Sequence, residues 1–162
     1  MGVSGSGKTT IGQLLSTELF CSFIDGDDFH PPVNIKKMSS GEALEDADRW
    51  PWLEILADKI QEHIQQEQSM VLACSALKKS YREILCVDRE LVQFIYLKGN
   101  YATIVRRMRS RENHFMTKSL LQSQFATLEE PRGAMVVDIS PPPLEILKSI
   151  RELLQPKASP EI

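Results

Sequence analysis

Within its first nine residues the chain sets out Gly2-Val3-Ser4-Gly5-Ser6-Gly7-Lys8-Thr9, a full match to the phosphate-binding pattern G-x-x-x-x-G-K-[ST]. Glycines let the backbone bend so that successive N–H groups converge on a β-phosphate, and a helix that follows adds the positive end of its dipole. In this arrangement Lys8 bridges β- and γ-phosphate oxygens, the Thr9 hydroxyl holds Mg²⁺, and Thr10 continues the loop into the helix. ATP and Mg²⁺ are therefore the expected ligands of residues 2–10. The plain alternative is a flexible Gly/Ser-rich start. It is disfavoured by Ile11, Leu14, Leu15 and Leu19, which recur on one helical face directly after the motif.

A second chemical cluster is Asp25-Gly26-Asp27-Asp28-Phe29-His30, which follows the apolar run Ser22-Phe23-Ile24. Carboxylates at the carboxyl end of a strand in an open α/β sheet stand where ligands bind. Asp25 is expected to hold Mg²⁺ through water, and Asp27 to take or orient the proton of an acceptor hydroxyl. A solvated acidic turn is the bland reading of the same residues. His30 has two readings, a contact to substrate or a cap on the helix that begins near Pro31 and Pro32.

Cations form the third group. Arg49 lies in Asp48-Arg49-Trp50-Pro51-Trp52 at the start of a helical pattern, where the helix dipole disfavours it. Lys78, Lys79 and Arg82 follow Cys74-Ser75-Ala76-Leu77. Arg49, Lys78 and Arg82 fit the recognition of a carboxylate-bearing substrate. Arg106, Arg107, Arg109 and Arg111 crowd one helix end, which suits a lid delivering positive charge to a transferring phosphoryl group. Complementing the helix's own dipole accounts for two of the four by itself.

The elements that must position these groups are short apolar runs alternating with helical patterns. Strands are expected at Ser22–Ile24, Met70–Cys74, Val92–Leu97 and Met135–Ile139. Helices are expected after the phosphate loop, from Pro51 through Ile64, from Lys78 through Leu85, from Asn100 to Arg111, and from Pro143 through Leu154. Alternation of this kind predicts an α/β fold: a parallel sheet with helices on both faces. One kinase-like domain is expected over residues 1–155, with a lid at about 112–130 and a polar tail at 156–162. A phosphate loop ordinarily follows a buried strand, and only Met1 precedes Gly2, so the first strand is expected to be missing and the natural product to start upstream.

Composition narrows the partners. The sequence has 162 residues, 42% hydrophobic and 25% charged, with a net charge of −3, which argues against a broad nucleic-acid surface. Apolar runs fall short of a membrane span, no signal peptide precedes the loop, and the expected location is the cytoplasm. Cys21, Cys74 and Cys86 are odd in number and lack paired metal spacing, so reduced, non-catalytic thiols are expected.

Taken together, these motifs resemble the small bacterial-type gluconokinases. The resemblance rests on Gly2 to Lys8, Asp25-Gly26-Asp27-Asp28-Phe29-His30-Pro31, Asp48-Arg49-Trp50-Pro51-Trp52-Leu53, Ala73-Cys74-Ser75-Ala76-Leu77-Lys78-Lys79-Ser80-Tyr81-Arg82, Asn113-His114-Phe115-Met116 and Leu120 to Glu129. It implies a P-loop kinase similar in fold to shikimate and nucleoside monophosphate kinases, a homodimer, and ATP-dependent phosphorylation of D-gluconate at its 6-hydroxyl. By the same resemblance Asp27 contacts the acceptor hydroxyl, Arg107 lies against adenine and Arg111 reaches the phosphates. Two other readings stay open at this point. One is a kinase of the same fold acting on shikimate, a nucleoside or a nucleotide, although Cys74-Ser75-Ala76 stands where a shikimate-type kinase would be expected to carry a glycine triplet. The other is a catalytically impaired nucleotide-binding protein.

Overall fold

The computed structural model describes residues 1–109 and 118–155. Four short strands lie parallel in two pairs. β1 (Ser22–Asp25) runs beside β2 (Met70–Ala73), with Ser22 opposite Met70 and Asp25 opposite Ala73. β3 (Ile95–Lys98) runs beside β4 (Met135–Asp138), with Ile95 opposite Met135. Each run is rich in Val, Ile, Leu, Phe or Tyr, as strands flanked by helices must be.

Between the pairs stands the backbone of Met1 and Gly2. The Met1 amine donates to Ile95 O, Leu97 N donates to Met1 O at 3.0 Å, and Gly2 N donates to Ser75 O at 3.2 Å. Among the described residues no strand continues this position. A cavity of about 630 Å³ lies there instead, lined by Met1, Leu72, Ile95, Ile11, Ile60 and Ile150 among others. Its lining is mostly apolar.

Helices cover both faces of the strands. α1 (Lys8–Glu18) and α7 (Pro143–Leu154) contribute Ile11, Leu15, Ile146, Leu147 and Ile150 to one core, together with Val3, Leu97 and Val137. α3 (Asp46–Gln65) and α4 (Lys79–Leu85) build the other from Trp52, Leu53, Leu56, Ile60, Tyr81 and Leu85. α2 (Pro32–Ser39) and α5 (Tyr101–Arg109) flank the site. The expected α/β architecture is therefore present.

Two boundaries differ from the pattern reading. α3 begins at Asp46 and carries Pro51 inside it, because a reciprocal capping box between Glu45 and Asp48 starts the helix five residues before the proline. α6 (Lys118–Thr127) is a helix within the stretch expected to be a lid. Its Leu121 is fully buried in the first core, and Glu129 N donates to Leu77 O at 2.9 Å, so residues 120–129 are anchored to the body. The remainder of the expected lid, at 112–117, and the tail at 156–162 lie outside the described residues.

Candidate active site

The phosphate loop has the backbone its glycines permit. Gly2, Gly5 and Gly7 have φ of +145°, +78° and +94°, a region that L side chains rarely enter. A Cβ on Gly2 would lie 2.9 Å from Leu97 O, and one on Gly5 would lie 3.0 Å from Met108 Cγ, so the loop is pressed against β3 and α5. Lys8 Nζ donates to Val3 O at 3.2 Å, and Ser4 N donates to Gln124 Oε1 of α6 at 2.6 Å. The buried Ser6 hydroxyl has no hydrogen-bond partner among the described residues. A bent loop of this kind, leading into an eleven-residue helix, fits a triphosphate.

Thr9 Oγ1 donates to Asp25 Oδ2 at 2.7 Å, which joins the start of α1 to the end of β1. The pair offers a hydroxyl and a carboxylate, the hard oxygen donors that suit Mg²⁺ held largely by water and phosphate. An open cavity of about 520 Å³ lies alongside, lined by Thr9, Asp25, Asp28 and Phe29.

After β1 the chain turns through a single 3-10 turn, Gly26–Phe29, with Asp25 Oδ1 accepting from Asp27 N at 3.2 Å. Gly26 is required there: an added Cβ would lie 2.9 Å from Ala73 O. Trp52 Nε1 donates to Gly26 O at 2.7 Å, so α3 fixes the turn from behind. Asp27 is exposed at the end of this arrangement. His30 Nε2 lies 3.9 Å from Asp27 Oδ1, and its ring stacks on Trp52 with centroids 4.2 Å apart and planes 17° apart. Burial, and then the positive charge of Arg49, push the His30 pKa down to about 4, so the imidazole is neutral near pH 7. Of the two readings for His30, its side chain makes no capping bond: α2 is entered through Pro31.

The cations are unequally placed. Arg49 Nη1 lies 3.3 Å from the Tyr81 hydroxyl and 3.9 Å from Asp46 Oδ1. Lys78 Nζ donates to both Asp46 oxygens at 2.7 Å, and the Tyr81 hydroxyl donates to Asp46 Oδ1 at 2.5 Å. Hydrogen bonds from Lys78 and then Tyr81 hold the Asp46 carboxyl below its usual range, and the bond to Asp46 raises Lys78. Arg49, Lys78, Asp46 and Tyr81 thus form one network with two cations around one carboxylate. Arg82 is buried instead, and its Nη1 donates to Ala76 O at 3.0 Å and Leu77 O at 2.9 Å, holding the loop after β2. Arg107 donates through Nη2 to Ile139 O and lies beside the phosphate loop, 3.8 Å from a Cβ built on Gly7. Arg111 lies outside the described residues.

Sequence reasoning passed over Asp46 and Asn34, took Trp52 for packing and quoted Tyr81 only within its run. Tyr81 sits three residues after Lys78, a helical spacing that could have linked them. Asp46 lies two residues before the Asp48-Arg49-Trp50-Pro51-Trp52 run and was not singled out. The three cysteines are unpaired thiols, and burial pushes Cys74 up to about 12, far from reactivity.

Comparison with known proteins agrees with this geometry. The family model described as shikimate kinase matches residues 4–140. The thermosensitive gluconokinase of Escherichia coli (strain K12) is 50% identical over 133 residues, covering 82% of this chain and 71% of that protein. The crystal structure of a gluconokinase from Sinorhizobium meliloti 1021 superposes with a TM-score of 0.82 at 44% identity, covering 92% of this chain and 85% of that one. An unliganded sugar kinase from Janibacter sp. HTCC2649 superposes with a TM-score of 0.90 at 43% identity, covering 95% and 91%.

Proposed function

The chain belongs to the shikimate kinase family and within it to the gluconokinases, and we propose that it transfers the γ-phosphoryl group of ATP to the 6-hydroxyl of D-gluconate. The observation that carries the site assignment is the succession from the Thr9–Asp25 pair through Asp27 and His30 to the Arg49–Lys78 network. It sets a phosphate cradle at one end, an exposed carboxylate in the middle and two cations at the other end.

Bound ATP and Mg²⁺ supply the transferable phosphoryl group and part of the charge neutralisation. Residues 2–10 would hold the triphosphate, Thr9 and Asp25 would hold Mg²⁺, and Arg107 would lie against the adenine. Asp27 takes the proton as the acceptor O–H bond breaks. The hydroxyl oxygen then forms a bond to the γ-phosphorus, and the bond from that phosphorus to the β-γ bridging oxygen breaks, leaving its electron pair on ADP. Lys8 moves no atoms but stabilises charge that grows on the transferring group. Arg49 and Lys78 orient the substrate carboxylate, Lys78 exchanging one of its two bonds to Asp46, while Arg82 keeps the loop in place behind Lys78. Arg111 is assigned to the phosphates. Residues 1–155 act as one domain, in the cytoplasm and as a homodimer; sedimentation at micromolar concentration tests the assembly.

A coupled ADP-release assay over a panel of aldonic acids, glucose and shikimate tests the reading. Gluconate is expected to be the preferred acceptor and glucose a poor one, because glucose offers no carboxylate to the two cations beside Asp46. Equal use of glucose and gluconate would remove the carboxylate assignment, and preference for shikimate would move the chain to the other acceptor class.

A further inference from the structure

Asn34 is a buried amide on α2, 1% exposed, in a position that binds no phosphate and faces no bulk solvent. Its Nδ2 donates to Asp48 O at 2.7 Å and lies 3.4 Å from His30 Nδ1. The Asp48 carbonyl decides which end of the amide is nitrogen, since the reversed amide would set two oxygens 2.7 Å apart. The second N–H of the same nitrogen is then directed at His30 Nδ1, which must accept. The ring proton consequently sits on Nε2, the atom 3.9 Å from Asp27 Oδ1. The ring stacks on Trp52, itself tied to Gly26 O, which holds the plane of the imidazole.

A separation of 3.9 Å is too long for a direct hydrogen bond and short enough for a single hydroxyl to serve both groups. Such a hydroxyl accepts from Nε2–H and donates to the carboxylate, which aims its proton at Asp27 and leaves its remaining lone pair for phosphorus. An imidazolium in the same place would instead attract the Asp27 charge and weaken it as a base. The charged groups that face the ring are Asp27 from the 3-10 turn and Arg49 from α3; the Asp48 carboxylate, on α3 next to Arg49, is occupied by Lys37 of α2 at 2.8 Å.

We propose that Asn34 is a positioning residue for phosphoryl transfer, fixing His30 as a neutral Nε2–H donor that holds the acceptor hydroxyl together with Asp27. This rests on the assignment of Asp27 to the acceptor hydroxyl. Long-range ¹H–¹⁵N spectra of the labelled protein without substrate should show His30 protonated at Nε2 at pH 7, and a mixture of tautomers in Asn34→Ala. Asn34→Ala should lower kcat for gluconate by about 3- to 10-fold, the loss of one hydrogen bond, with KM for ATP unchanged. His30→Gln, whose amide can restore a donor near Nε2, should keep more of kcat than His30→Ala. In the His30→Gln background Asn34→Ala should cost kcat little more, whereas a residue needed only for folding would cost the same in both backgrounds. A His30 proton on Nδ1 in the unaltered protein, or equal losses in the two backgrounds, overturns the proposal. Because the spectrum is read without substrate, a chain that ignores gluconate would defeat the functional reading while leaving the tautomer decided.

Discussion

Thr9 Oγ1 and Asp25 Oδ2 meet at 2.7 Å across the join between the first helix and the first strand. Each residue belongs to a different motif, and the bond brings the phosphate loop into register with the acidic turn that follows. Asp25→Asn keeps the shape and removes the charge. Its Mg²⁺ requirement for half-maximal turnover is expected to rise about 10- to 100-fold, as when groups orienting a metal are altered. Titration of turnover with MgCl₂ at saturating ATP reads this directly, and an unchanged midpoint would separate Asp25 from the ion.

Lys8→Ala should leave the melting temperature nearly intact and lower turnover by roughly 10² or more, since the group acts on charge that appears in the transition state. Its bond in the free protein, to Val3 O at 3.2 Å, is a partly buried contact of modest net worth. A variant with near-normal turnover would take the loop out of the mechanism.

The two arginines that the sequence suggested for a carboxylate clamp should part company. Arg49→Ala is expected to raise KM for gluconate by about 10- to 100-fold with little change in KM for ATP, the loss of a charge-assisted hydrogen bond. Arg82→Ala strips donors from the Ala76 and Leu77 carbonyls, so its first effect should be a lower melting temperature. Steady-state kinetics beside thermal melts distinguish them; an Arg82→Ala protein of normal stability with a raised gluconate KM alone would return Arg82 to the substrate.

The split between those arginines also marks where the sequence stops being readable. Strand and helix periodicity located every strand pair, and the phosphate loop and the Asp25–Asp27 turn could be placed because each is local and follows a strand. Arg49, Lys78 and Arg82 are alike as cations in a string of letters. Only packing decides that Lys78 meets Asp46, 32 residues away, while Arg82 folds back on its own loop. Asn34 was illegible for the same reason, since the contact that fixes its amide is to Asp48 O, 14 residues away at the start of α3.

His30 should make the protein less stable in mild acid. Its folded pKa, about 4, lies below the ordinary 6.5, so the unfolded chain binds more protons between those values and stability rises with pH across that window. The contribution is complete above pH 6.5 and is lost as pH falls towards 4, amounting to at most about 3 kcal/mol. Carboxylates held low by partners, such as Asp46, act in the same direction, so the control is His30→Gln. The fall in melting temperature from pH 7 to 4.5 should be smaller in that variant; an equal fall would assign the acid sensitivity elsewhere.

The slot between β2 and β3 yields the last expectation. Met1 N and O already bond to Ile95 and Leu97 in the sense of a strand parallel to β3, and Gly2 N bonds to Ser75 beyond the end of β2. The amine at this point is partly buried, and that burial, followed by the charge of Lys8, pushes its pKa down to about 5 from 8.0. That depressed value costs stability as pH falls from 8 through 5, by the same sign argument as for His30. Joining five or six residues, chiefly Val, Ile or Leu, ahead of Met1 converts the amine to an amide and lays apolar side chains against Leu72, Ile11, Ile60 and Ile150. Each well-buried side chain contributes about 1.5 to 3 kcal/mol, and every kcal/mol is worth roughly 2 to 4 °C in a domain of this size. The extended protein should therefore melt at least ~10 °C higher, lose the part of its pH dependence that lies between 6.5 and 8, above the window of His30, and turn over faster because the phosphate loop is anchored from both sides. Melting and ADP release measured on the two lengths at pH 6 and 8 decide it; identical melting curves would mean that the cavity closes by some rearrangement of its own walls.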